Sequence, residues 1–180
     1  MQNIELKIRV DNFKSIVDKL KKNRAADKEI LSQVDTYYNC KRKRLKFREE
    51  NNKLFRLVLY ARPDKKEAKV SNFDMIDFNK QQAQALKAVL KKAYGEKVTV
   101  KKERKLWVYK NTRIHLDKVE KLGTFLEIET FVKKDITVAK KEYGKIVKIL
   151  DLDRYKKMDR SYSDMLLKKY ARARSVIKKI

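Results

Sequence analysis

Acidic and basic residues alternate with apolar ones in several short stretches of this chain, and that spacing decides what chemistry they could do. Within Asn3–Val10, an extended backbone puts Asn3, Glu5, Lys7 and Arg9 on one side and Ile4, Leu6, Ile8 and Val10 on the other. Arg44, Lys46 and Arg48 likewise oppose Leu45 and Phe47, and Arg56, Val58, Tyr60 and Arg62 oppose Leu57 and Leu59. Lys102 and Arg104 continue the side begun by Val98 and Val100, so that one face changes from apolar to basic along its length. Arg113, His115 and Asp117 face away from Ile114 and Leu116, and Glu127 and Glu129 from Leu126 and Ile128. Bases followed by acids, without a Ser-His-Asp triad, suit the binding of a polyanion, with carboxylates holding divalent metals that bridge to phosphate oxygens.

Two arrangements satisfy the alternation. In one, a half-buried sheet packs its apolar face on helices and shows its charged face to water. In the other, the sheet closes into a barrel around the charged face, and acids and bases share one solvated interior. Periodicity alone leaves both open.

Composition narrows the chemistry further. The 180 residues carry 49 Lys plus Arg against 24 Asp plus Glu, a formal charge of +25 that attracts polyanions. The hydrophobic fraction of 42% is enough for a core. The glycines Gly95, Gly123 and Gly144 stand too far apart for a phosphate-cradling loop or a dinucleotide fingerprint. His115 and Cys40 are the sole residues of their kinds, so zinc sites of paired His or Cys are excluded, and a metal held by carboxylates points to Mg or Mn. No window approaches the roughly 20 apolar residues that span a bilayer, and the amino terminus lacks the apolar run of a signal peptide. The expectation is a cytoplasmic protein with no membrane role.

These faces need elements to position them. Phe13, Ile16, Val17 and Leu20 predict a helix over 12–23, with Asp11 or Asn12 as its cap. Ala83, Leu86, Val89 and Leu90 predict one over 79–94 that stops at Gly95. A third is expected over 137–150 and a basic fourth over 162–180. With six or more strands between them and no internal repeat, the class is α+β, dominated by an antiparallel sheet.

The opening stretch resembles the amino-terminal E-x-E-x-K signature of the CYTH superfamily, the triphosphate tunnel metalloenzymes, at Asn3, Glu5 and Lys7. The similarity continues through QVDTYY (33–38), RLKFRE (44–49), LYARPD (59–64), the block from Lys101 to Glu129 with NTRIHLD and LGTFLEIE, and SYSDMLL (161–167). The last two segments look most like the class IV adenylyl cyclase branch. The resemblance implies one CYTH-like domain over 1–180, built as an antiparallel closed barrel of about eight strands with flanking helices. By position it makes Glu5, Asp117, Glu127 and Glu129 metal ligands, joined by Asn3, and Lys7, Lys46, Arg48, Arg62, Lys102, Arg104 and Arg113 triphosphate-binding residues. Lys7 and Asp117 are the expected catalytic pair. His115 shares their face with its role left open, and Tyr162 is read as a packing residue.

Asn3 departs from the pattern, which has Glu there. An amide oxygen can ligate Mg or Mn but supplies no negative charge. The implied reaction is conversion of ATP to cyclic AMP and pyrophosphate, with Mg or Mn as cofactor. The alternative is hydrolysis of inorganic, thiamine or nucleoside triphosphate. A different class, a basic polyphosphate- or nucleic-acid-binding protein, would use Lys41–Arg44 and the tail YARARSVIKK. A homodimer is compatible with the sequence.

Overall fold

The computed structural model describes residues 2–41, 43–61, 72–133 and 135–177. The strands are β1 (Gln2–Arg9), β2 (Ala26–Tyr38), β3 (Arg44–Glu50), β4 (Leu54–Ala61), β5 (Asn72–Phe78), β6 (Glu96–Tyr109), β7 (Thr112–Val119) and β8 (Gly123–Val132). They form one eight-stranded sheet in the order β1-β8-β7-β6-β2-β3-β4-β5, antiparallel throughout. With the helices α1 (Lys14–Lys22), α2 (Lys80–Tyr94), α3 (Ile136–Leu150) and α4 (Tyr162–Ile177), the class is α+β, as the sequence led us to expect. Among the described residues the marginal strands β1 and β5 are not paired with each other, so the ladder is not sealed by hydrogen bonds. The sheet is nevertheless strongly curled. Lys7 on β1 and Lys102 on β6 lie three strands apart, yet their ammonium groups stand 4.3 and 5.5 Å from the centre of one ring, that of Tyr162. In a flat sheet, strands about 4.8 Å apart would separate them by about 14 Å.

The apolar alternate positions face outward under helices. Leu6, Ile8, Ile114, Leu116, Leu126, Ile128 and Trp107 pack beneath Ile16 and Leu20 of α1 and Ile146, Val147 and Leu150 of α3. Tyr38, Leu45, Phe47 and Phe55 pack beneath Ala83 and Leu90 of α2. On the inner face α4 seats Tyr162 and Leu166 against Val98, Val100, Val119 and Phe125. The apolar half of the inner face of β6 therefore meets α4, and its basic half, Lys102 and Arg104, is left for the charged interior.

Local chemistry sets the helix ends. The Asn79 side chain accepts from Gln82 N at 2.9 Å while Gln82 Oε1 accepts from Asn79 N at 3.1 Å, a capping box that starts α2. Gly95, with φ of 67°, ends it. Asn12 does accept from Lys14 N, at 3.0 Å, although the helix proper begins two residues later than its apolar spacing suggested. Asp135 caps α3 through Thr137 N at 2.7 Å. No described helix is long and apolar enough to cross a membrane.

Candidate active site

The inner face of the curled sheet gathers the charged side chains into two linked networks. In the first, β6, β7, β8 and β1 converge. Arg104 lays its guanidinium fork on Asp117, with Nε to Oδ1 and Nη2 to Oδ2 both at 2.7 Å, and Nη2 also reaches Glu127 Oε2 at 2.7 Å. Lys7 pairs with the other oxygen of Glu127, its cross-strand neighbour. The Tyr162 hydroxyl donates to Asp117 Oδ2 at 2.9 Å, so both Asp117 oxygens accept hydrogen bonds. Burial alone would push both acids up. The Arg104 fork instead brings Asp117 down to about 2, and Lys7 and Arg104 hold Glu127 well below the carboxylate range.

The second network centres on Asp35 of β2. Arg48 of β3 grips it with both arms, Nε at 2.7 Å and Nη2 at 2.8 Å. Lys46, also of β3, stands 3.2 Å away and Lys102 of β6 3.7 Å away. Desolvation, reinforced by the nearby arginines, lowers Lys102 to about 7 and Lys46 to about 8. An anion placed beside these two lysines would favour their charged forms.

A third feature lies at the other side of Glu127. His115, Glu127 and Glu129 offer ligand atoms that all lie within 4.8 Å of one another. His115 Nδ1 is buried without a hydrogen-bond partner, and it stands 3.8 Å from both Glu127 Oε2 and Glu129 Oε1. A buried nitrogen aimed between two carboxylates, too far from either to bond, fits a place for a cation. Glu5 is the cross-strand neighbour of Glu129, and Asn3 is buried two positions further along the same side of β1. Arg113 flanks Glu129 from β7, with its guanidinium 5.0 Å from the Phe131 ring centre.

Strand alternation thus brings Lys7, Lys46, Arg48, Lys102, Arg104, Asp117, Glu127 and Glu129 to one interior. Arg62 lies outside the described residues. Asp35 was missing from the sequence-based set, although its place between Gln33 and Tyr37 on one side of a strand marks it as inward-facing. Tyr162 does pack, against Phe125 with ring centres 5.0 Å apart, but it also reaches into the charged interior.

A curled eight-stranded antiparallel sheet enclosing clustered bases and acids is the architecture of a triphosphate-tunnel fold. The chain belongs to the CYTH domain family, whose model matches residues 1–162. Its fold is similar to that of the PH1012 protein from Pyrococcus horikoshii OT3, with TM-score 0.77, 27% identity, and 90% of this chain and 98% of that one covered. It is also similar to a candidate adenylate cyclase from Vibrio parahaemolyticus, with TM-score 0.68 at 17% identity over 92% and 98% of the two chains. A further structure, the candidate adenylyl cyclase HpAC1 from Hippeastrum, is described as having a dominant triphosphatase activity. It matches with TM-score 0.66 at 15% identity over 94% and 96%. Among curated proteins there is no match.

Proposed function

We propose that this protein binds a triphosphate in its charged interior and converts it with the help of Mg or Mn, in the manner of a class IV adenylyl cyclase. The observation that carries the reading is the pairing of two features on one inner face: the Lys46 and Lys102 ammonium groups around Asp35 on one side, and the His115–Glu127–Glu129 group, with Lys7 paired to Glu127, on the other. The lysines supply compact charges that can each turn a donor to a phosphate oxygen, while Arg48 and Arg104, held by Asp35 and Asp117, keep the walls positive and rigid. In this reading Asp117 orients Arg104 and Glu127 orients Lys7 and Arg104, each with both oxygens engaged, and both carboxylates stay among the candidate metal ligands. His115, Glu127 and Glu129, with Glu5 beside them, would hold a divalent cation, which when bound would neutralise phosphate oxygens and lower the pKa of a hydroxyl or water on it.

With ATP, the ribose 3′-hydroxyl attacks the α-phosphorus, the bond from that phosphorus to the bridging oxygen of the β-phosphate breaks, and pyrophosphate leaves. The protein's share is to fix the triphosphate in line and to stabilise the charge that develops on the leaving group. Hydrolysis of a triphosphate uses the same grip with water as the attacking group, and HpAC1 from Hippeastrum is the neighbour that favours that second reading.

Incubation with ATP, inorganic triphosphate and thiamine triphosphate, each with Mg or Mn, separates these chemistries. Cyclic AMP and pyrophosphate in equal amounts are the expected products from ATP. Phosphate release without cyclic AMP would move the assignment to triphosphatase. Turnover of none of them, with retention of RNA at physiological salt, would leave the basic binding protein.

A further inference from the structure

Asp35 stands in the last third of β2, only 2% exposed, with β3 on one side and β6 on the other. Among the described residues it is the one carboxylate within ion-pair distance of Lys46, Arg48 and Lys102. Its contacts are graded. The Arg48 fork is fully committed at 2.7 and 2.8 Å, Lys46 donates a longer hydrogen bond to Oδ2 at 3.2 Å, and Lys102 stands 3.7 Å from that same oxygen, drawn toward it without a hydrogen bond. An ammonium group has three donors, so each lysine can keep one toward Asp35 and turn the others to a ligand. Without a central anion, three buried cations from two strands would repel one another and spread.

We propose that Asp35 is a positioning residue for substrate phosphate: it fixes Arg48 and gathers Lys46 and Lys102 from the two flanking strands around one point, presetting this wall for a triphosphate chain. The proposal rests on the triphosphate reading of the site and deepens it by naming the residue that arranges the grip. It also makes a prediction opposite in sign to that of charge alone. Removing a carboxylate raises the charge of the wall by one, which by Coulomb attraction would tighten the hold on a polyanion. If Asp35 arranges the lysines, its removal weakens that hold.

The test is calorimetric binding of inorganic triphosphate with Mg at fixed salt, alongside thermal unfolding, for the wild type, Asp35→Asn and Asp35→Glu. The expected Kd rises by about tenfold to a hundredfold in Asp35→Asn, as misplaced gripping groups do. Asp35→Glu, which keeps the charge but displaces it by one methylene, should fall between the two. A Kd that is unchanged or tighter in Asp35→Asn, with only the unfolding temperature lowered, would overturn the proposal and leave Asp35 as a structural counter-ion. Should Asp35→Asn fail to fold, Asp35→Glu decides, and wild-type affinity in that variant overturns the proposal equally. Absence of triphosphate binding by the wild type is a separate result, which removes the triphosphate reading itself before any substitution is compared.

Discussion

Asn3 is buried in β1 on the same side as Glu5, where the family signature places a glutamate. Restoring the carboxylate with Asn3→Glu should raise Mn-dependent turnover by about an order of magnitude, measured as product formed per enzyme across a metal titration. Unchanged turnover would show that Asn3 is no impaired ligand. His115 supplies the complementary experiment, because its Nδ1 is the buried nitrogen without a partner. His115→Ala should weaken Mn binding by at least about tenfold in calorimetry while leaving metal-free triphosphate binding unchanged. The alternation of side chains made most of the inward-facing residues legible in the sequence, since parity along a strand decides the face. Parity does not say which inward cation meets which inward acid. Arg48 and Lys102 are 54 positions apart and converge on Asp35 only because β3 and β6 flank β2, an order that no local pattern reveals.

Among the elements, α2 had the most readable boundaries, with Asn79 and Gln82 spaced for a capping box and Gly95 at the far end. Asn79→Ala should cost about 1 kcal/mol in a urea titration followed by the fluorescence of the single Trp107, since it removes the side-chain oxygen that accepts from Gln82 N and leaves the backbone bond from Ala83 N in place. A loss well below that would mean that packing of Ala83 and Leu90 on the sheet holds the helix end unaided. Strand β5 was the least readable. Its Asp74, Met75, Ile76 and Asp77 are all exposed, so no buried face imposes an apolar alternation there, and its pairing with β4 rests on the backbone ladder and the Arg56 fork on Asp77. The direction of the curl was equally hidden, because the same alternating strands would serve an open sheet, and it is the seating of α1, α2 and α3 on the outer face that turns the charged side inward.

At the scale of the whole molecule, the crowding of like charges has a pH signature. Lys102, lowered by burial and its arginine neighbours to about 7, and Lys46, lowered to about 8, both lie below the ordinary 10.5. Between those values and about 10 the unfolded chain binds more protons than the folded one, so stability should rise with pH across that window. Asp117 acts in the opposite limb, contributing stability above the ordinary carboxylate range that is lost as pH falls toward about 2. Raising the pH from about 6.5 to about 9 should therefore raise the unfolding temperature of the ligand-free protein, as scanning calorimetry would detect. Triphosphate binding near pH 8 should take up about one proton once the ligand's own ionisation is subtracted, because added phosphate charge restores both lysines to their charged forms. Calorimetry in two buffers of different ionisation enthalpy measures this directly, and no uptake would contradict the placement of the phosphates beside Lys46 and Lys102.

The pairing of β1 with β8, together with the reach of Tyr162 to Asp117, also sets the order in which the protein can be made. Lys7 has no Glu127 to meet until about 120 further residues have followed it from the ribosome. The Asp117 hydroxyl partner comes 45 residues after Asp117 itself. Contacts this distant in sequence close late and slow folding. β1 must therefore wait with its ladder unpaired until β8 has been made, and a chain interrupted between Val132 and Tyr162 carries all eight strands without the hydroxyl that bonds Asp117.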